Sequence, residues 1–250
     1  MARIYTTPKD EKPKINKSAV LDFFEQRATK VSTLGPTRAV IYQDKSPDLA
    51  ERRDTAEKNL LLPLLSISQS SHILDAGCGT GRWAEAVVPH CASYFGVDVS
   101  PGLIKVAHDR FGSHENVRFA VCPVDALSKE ALGTERLFTH ILSFGVFIYL
   151  NDDEVLDALS GYAALGAPGC RLIFREPVAL EQRLTLLEHF SDEMDQQYNA
   201  IYRTEQELIS LIKSVLGDAF IQVDSGDVYP DPSLNNRTET RQKWFLWEKH

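Results

Sequence analysis

Three glycines at alternate positions, Gly77, Gly79 and Gly81, follow an acid, Asp75, in the stretch His72-Ile-Leu-Asp-Ala-Gly-Cys-Gly-Thr-Gly-Arg-Trp83. Glycine lets a turn adopt positive φ and lets a ligand approach the backbone without meeting a Cβ atom. Ile73 and Leu74 read as the end of a short buried strand, and a helix is expected to begin near Arg82. Free N–H groups at such a helix start favour polar or anionic ligand groups. The spacing is G-x-G-x-G, since Arg82 stands where the dinucleotide motif G-x-G-x-x-G would continue. A second acid, Asp98, ends the strand in Tyr94-Phe-Gly-Val-Asp-Val-Ser100. In a right-handed βαβ unit the two strand ends are neighbours at the carboxyl edge of the sheet. Asp98 can therefore reach both hydroxyls of a ribose lying along that edge. Capping of the next helix does not require it, because Ser100 and Pro101 supply an N-cap and N1 pair.

Holding these groups together requires an alternation of strands and helices. Strands are expected near 72–76, 93–98, 117–122, 138–144 and 170–175, and helices near 81–89, 101–111 and 152–165. That order predicts an α/β fold, a doubly wound, mostly parallel sheet with helices on both faces. Phe220-Ile-Gln-Val and Lys243-Trp-Phe-Leu-Trp247 follow without a crossover helix, so the sheet should end with an antiparallel strand. Leu180 to about Leu216 reads as helix-rich, broken near Tyr198-Asn-Ala-Ile-Tyr202 and restarted by the capping box Thr204-Glu-Gln-Glu207. Residues 1–17 are charged and proline-containing, and read as a loose tail or a strap over the site. Ser18 is the expected cap of a first helix, Arg38–Tyr42 is short and apolar, and Ser46-Pro47 starts a long charged helix.

Leu74-Asp-Ala-Gly-Cys-Gly-Thr-Gly81 followed by Gly96-Val-Asp-Val-Ser100 closely resembles the class I S-adenosylmethionine (SAM)-dependent methyltransferases. The likeness extends to Asp125 and to the strand around Ser143, over about 70–180. It implies a seven-stranded Rossmann-like sheet with an antiparallel closing strand and a helical N-terminal cap. The implied division is a tail and cap over 1–70 and a SAM-binding core over 71–250, with a helical insertion at about 178–216. It also implies SAM as cofactor, held by Asp75, Ala76, Gly77, Cys78, Gly79, Gly81, Asp98, Val99, Asp125, Ala126 and Ser143. In that family pattern Asp125 accepts a hydrogen bond from the adenine amino group. Leu142-Ser-Phe-Gly-Val-Phe-Ile-Tyr149 passes beneath the methionine part, near the transferred methyl. The Asn/Asp-Pro-Pro-Tyr/Phe box of enzymes that methylate nucleobase amines is absent.

The expected reaction is methyl transfer to a hydroxyl of a small molecule, a sugar or secondary metabolite, with a small-molecule amine as the alternative. An NAD-dependent oxidoreductase and an inactive SAM-binding partner subunit are the readings from other classes, and the glycine spacing counts against the first. A hydroxyl acceptor benefits from a base. His72 and His140 belong to strand beginnings, opposite the cofactor edge, whereas His189 falls where acceptor pockets usually lie. His189, Glu176 and Tyr149 are therefore the catalytic candidates, with Phe147, Tyr202 and Arg203 beside the acceptor. No carboxylate set suggests a magnesium site, and no metal is expected. The 250 residues carry a net charge of −8, which argues against non-specific binding of nucleic acid or of an anionic membrane. The four cysteines contain no C-x-x-C pair and read as buried thiols in a reducing, cytoplasmic setting. No signal peptide or membrane-spanning apolar run is read in the sequence.

Overall fold

The computed structural model describes residues 2–235 and 237–250. Its strands are β1 (Ala2–Thr6), β2 (His72–Ala76), β3 (Ser93–Asp98), β4 (Val117–Val121), β5 (Phe138–Phe144), β6 (Gly166–Ala179), β7 (Arg183–Ser191), β8 (Gln196–Tyr202), β9 (Phe220–Asp227) and β10 (Thr240–Lys249). Its helices are α1 (Lys17–Leu34), α2 (Pro36–Ile41), α3 (Pro47–Leu65), α4 (Ala84–Val87), α5 (Pro101–Phe111), α6 (Lys129–Leu132), α7 (Asp152–Leu165) and α8 (Glu205–Leu216).

Seven strands form the main sheet in the order β4-β3-β2-β5-β6-β10-β9. β2 runs parallel to β3 and β5, and β10 is antiparallel to both its neighbours, as the two closing apolar runs predict. Side chains alternate between the two faces of a strand, and both faces of this sheet are covered. Leu74, Ile141, Phe174 and Trp247 pack with α7 and α8 on one face, whereas Ile73, Leu142, Ile173 and Leu246 meet Leu61 and Leu65 of α3 on the other. Full burial of each such side chain stabilises by about 1.5–3 kcal/mol. That accounts for near-continuous apolar runs in the central strands.

Local chemistry sets most helix starts. Ser100 Oγ accepts from Leu103 N at 3.0 Å with Pro101 in the first turn of α5, while Asn151–Glu154 and Thr204–Glu207 form capping boxes. At α1 the cap is Asn16 and not Ser18: its Oδ1 accepts from Ser18 N at 2.9 Å and Ala19 N at 3.3 Å. Residues 38–41 belong to α2, which ends at Tyr42 in the left-handed region, φ 63°. The helix expected over 81–89 shortens to α4 and a 3-10 turn, Val88–His90, that contains Pro89.

The largest departure lies between 180 and 202. The expected helix there is instead the antiparallel pair β7–β8, and β1 joins it to make a second sheet, β1-β7-β8. Leu184 and Leu187 are spaced as on one helix face, but β1, distant in sequence, supplies a pairing edge that overrides that signal. Leu184, Leu186, Tyr198, Ala200 and Ile201 form a third core cluster with Phe23 of α1 and Tyr149. The N-terminal residues thus include a strand of this smaller sheet and not solely a strap. Among the described residues no helix is long and apolar enough to cross a membrane.

Candidate active site

The carboxyl ends of β2, β3 and β5 open into one cavity, floored by the glycine turn. Gly77 N and Cys78 N donate to Val97 O at 2.8 and 2.9 Å, which holds the turn against β3. Gly77 has φ 82°, and a Cβ there would stand 2.5 Å from Val146 Cγ2, so both the turn and the approach of the β5 loop require glycine. Gly79 N donates to Asp98 Oδ2 and Ser100 N to Asp98 Oδ1, each at 2.9 Å. Burial pushes the Asp98 carboxyl up to about 6, against the lowering effect of those amides. Asp75, also buried, accepts from the Tyr94 hydroxyl, and burial raises it to about 6 as well. Asp125 is held from one side by Lys17, while its Oδ1 is buried and has no hydrogen-bond partner among the described residues.

The two N-terminal helices cover this cavity. Val20, Leu21 and Phe24 of α1, Val40 of α2 and Tyr42 line it opposite the glycine turn. Glu25 of α1 accepts from Gly102 N at 3.0 Å and from the Ser100 hydroxyl, so the cover docks on the start of α5. Thr80 donates to Pro36 O at 2.9 Å and ties α2 to the turn itself. Arg27 of α1 is buried inside the cover, bonded to Ala39 O and paired with Asp44.

A second cavity adjoins the first and shares Val40, Tyr42, Phe144, Gly145, Tyr149 and Arg175 with it. Its own walls include Arg53 and Glu57 of α3, His189 of β7, Tyr198 and Tyr202 of β8, and Tyr229 and Arg237 from the β9–β10 connection. Glu57 Oε1 accepts from Arg82 Nη2 at 2.5 Å and Trp83 Nε1 at 3.3 Å, and its Oε2 lies 3.1 Å from Arg175 Nε. Although burial works against ionisation, those two guanidinium groups bring the Glu57 carboxyl down to about 2. His189 packs edge-on against Tyr198, and burial together with Arg237 lowers it from its ordinary value, which favours the neutral imidazole. Burial pushes the Tyr149 hydroxyl well above its ordinary value, with Tyr42 as its hydrogen-bond partner.

Of the residues expected to hold the cofactor, Asp75, Gly77, Cys78, Gly79, Asp98, Val99 and Asp125 line the first cavity. Ala76, Gly81, Ala126 and Ser143 do not. Ala76 is in the core, Gly81 abuts Phe111, Ala126 is exposed, and the Ser143 hydroxyl accepts from Tyr162 at 3.3 Å. Strand alternation turns Phe144 to the cavity in place of Ser143. The same alternation separates Arg175, which lines both cavities, from Glu176, which lines neither. Glu176 Oε1 accepts from Val146 N at 2.8 Å and Phe147 N at 3.0 Å, and burial raises this carboxyl to about 7.

Arg203, expected beside the acceptor, donates to Phe147 O and Leu150 O, each at 2.7 Å, and pairs with Asp152. Glu176 and Arg203 thus fasten the 146–150 turn that carries Tyr149, and act through it. Phe147 points the other way, packed against Tyr162 and Phe174 in the core. Tyr149 lines both cavities, and His189 and Tyr202 line the second. Sequence reasoning missed Arg53, Glu57, Arg82 and Arg175. Arg82 sits inside the glycine motif and was open to inspection, but Arg53 and Glu57 are one helical turn apart in a charged helix that otherwise reads as solvated.

A central parallel sheet with a glycine turn, an acid ending the neighbouring strand and a covered cavity at its carboxyl edge has the layout in which open α/β sheets bind ligands. Residues 73–169 match the model of a methyltransferase domain family. Over 114 residues the chain is 31% identical to nodulation protein S of Rhizobium tropici, a match covering 44% of this chain and 46% of that protein. Over 107 residues it is 31% identical to a ubiquinone biosynthesis O-methyltransferase of Coxiella burnetii, covering 42% and 43%. The matches therefore span somewhat less than half the length of these curated relatives. The N-methyltransferase NodS of Bradyrhizobium japonicum, solved with S-adenosylhomocysteine, shares the fold with a TM-score of 0.59 at 19% identity, covering 91% of this chain and 98% of that one. Residues 73–169 are thus similar to a methyltransferase domain, and the chain shares the fold of the solved methyltransferases.

Proposed function

We propose that this chain transfers a methyl group from SAM to a hydroxyl of a small molecule. The observation that carries the reading is the pair of adjoining cavities, one built on the glycine turn and Asp98, the other meeting it at Tyr42, Gly145 and Tyr149. The first fits the cofactor by a specific vacancy in its bonding: the orphaned buried Oδ1 of Asp125 can accept from an adenine amino group. Asp98 would hold the ribose hydroxyls. SAM supplies a methyl on a sulfonium, transferred by in-line displacement, so the protein's share is alignment and exclusion of water. Helices α1 and α2 do the excluding. Tyr149, at the junction, positions the acceptor, and the neutral imidazole of His189 takes the hydroxyl proton.

The test incubates the protein with SAM carrying a deuterated methyl and a panel of phenols, sugars and amines, and reads products by mass. Labelled methyl on a hydroxyl is the expected result. Labelling confined to amines would move the reaction to nitrogen, and S-adenosylhomocysteine failing to bind would remove the reading altogether.

A further inference from the structure

Five arginines are buried among the described residues: Arg27, Arg53, Arg82, Arg183 and Arg203. Four of them meet a carboxylate closely, Arg27 on Asp44 at 2.5 Å, Arg82 on Asp54 at 2.7 Å, Arg183 on Asp152 at 2.9 Å and Arg203 on Asp152 at 2.7 Å. Arg53 is the exception. It is 4% exposed, its Nε donates to Leu234 O at 2.7 Å, and its two terminal nitrogens have no partner among the described residues. A buried charge is costly unless it is paired; Glu193 acts on this guanidinium only from a distance, and its terminal nitrogens, open to the cavity, are placed to meet an anion from outside the chain.

Arg53 lines the second cavity and not the first. The acids that share that cavity are occupied elsewhere or stand off. Glu57 is held by Arg82 and Arg175, and Glu193 accepts from Lys45 N at 2.8 Å. Neither Glu193 nor Asp192 forms an ion pair with Arg53 among the described residues. We propose that Arg53 anchors an anionic group, a carboxylate or a phosphate, carried by the methyl acceptor. This rests on the reading of the second cavity as the acceptor site. Two parallel N–H donors of a guanidinium match the two oxygens of either group. Arg53 belongs to the second cavity alone and not to the wall it shares with the first, so the anion is placed apart from the acceptor's reacting hydroxyl.

The tyrosine-lined walls make simple aromatic probes suitable. Binding of benzoate, phenyl phosphate and neutral benzamide to the full chain is measured by NMR titration in the presence of S-adenosylhomocysteine. Binding of S-adenosylhomocysteine itself is measured alongside. We expect at least one anionic probe to bind about tenfold tighter than benzamide, and Arg53→Met to abolish that preference while keeping affinity for S-adenosylhomocysteine. The order of benzoate and phenyl phosphate then tells carboxylate from phosphate. Equal binding of all three probes, or a preference that survives in Arg53→Met, would overturn the proposal. Should that variant not fold, phenylglyoxal modification of the wild-type protein decides: the winning anion must shield Arg53 where benzamide does not. An anion preference without S-adenosylhomocysteine binding would uphold the anion site and remove the methyltransferase reading, and the converse would remove this proposal alone.

Discussion

The cavity proposed for the cofactor takes Asp75, the glycine turn, Asp98 and Asp125 from the segment that matches the methyltransferase domain, and Lys17, Tyr42 and Arg175 from outside it. The cavity proposed for the acceptor draws on α3, β7, β8 and the β9–β10 connection, most of it outside that segment. Their electrostatics differ as sharply. In the first, Asp75 and Asp98 accept only uncharged donors within the chain, and burial raises both to about 6. In the second, Glu57 sits between two guanidinium groups and falls to about 2. A carboxylate without a cation is ready for hydroxyl donors from a ligand, whereas one enclosed by Arg82 and Arg175 is committed to holding the wall between the cavities.

The harshest test of that contrast is Glu57→Gln. Removing one partner of a buried ion pair leaves uncompensated charge and destabilises by about 3–5 kcal/mol, here with Arg175 left without a carboxylate. Thermal unfolding should show a large fall, and both ligand sites should weaken together, since Arg82 and Arg175 line the cofactor cavity while Glu57 lines the other. An unchanged melting temperature would mean that this cluster is not a structural wall. Asp98→Ala should act on one cavity only. If Asp98 holds the ribose as proposed, the substitution removes charge-assisted hydrogen bonds to two hydroxyls, each worth roughly 1.5–3 kcal/mol and not additive. Affinity for S-adenosylhomocysteine should drop by about tenfold to a thousandfold, with anionic probes of the acceptor cavity unaffected. Affinity retained in a folded variant would leave Asp98 as a bond acceptor for the turn.

The same contrast explains what could be read from the sequence. The sheet, its closing strand and the acids that line the first cavity were legible because each rests on a local pattern: an apolar run, a glycine spacing, an acid at a strand end. Ser143 and Glu176 were assigned to the site by nearness in sequence, and the two-residue period of the strand turned each to the opposite face from its neighbour. The strands at 183–202 were hidden because their pairing partner, Ala2–Thr6, is remote in sequence, and pairing outweighs local propensity. Arg53 and Glu57 carried no signal of their own, since charges on a long helix ordinarily face water.

A middle-sized effect is expected at His189, and only in the acceptor cavity. His189→Ala should slow methyl transfer by about a hundredfold, the low end for loss of a general base, with S-adenosylhomocysteine affinity and melting temperature nearly unchanged. A wild-type rate with an identified acceptor would show that proton removal needs no protein base. Glu176→Gln offers the control: its carboxylate touches the Val146 and Phe147 amides and no cavity, so its effect should come with loosened binding in both cavities through the Tyr149 turn.

The smallest expected effect is a pH dependence confined to the cofactor cavity. Burial raises Asp98 from 3.8 to about 6 in the free protein, and ribose hydroxyls donating to it would favour the ionised form. Binding of S-adenosylhomocysteine should therefore expel a proton near pH 6, and affinity should fall by up to about tenfold between pH 7 and pH 5. Stability runs in the opposite direction. Since the folded value lies above the unfolded one, the stabilising contribution of Asp98 is fully present below about 4 and is lost as pH rises through about 6. The wild type should accordingly gain stability relative to Asp98→Asn on going from pH 7 to pH 5, while its ligand affinity declines. Calorimetry in buffers of different ionisation enthalpy reads the proton, and unfolding of both proteins at each pH reads the stability difference. Asp75 is the competing source, raised to about 6 in the same cavity. If Asp98→Asn keeps the wild-type slope of affinity against pH, the titration belongs to Asp75 and the ribose assignment of Asp98 loses its electrostatic support.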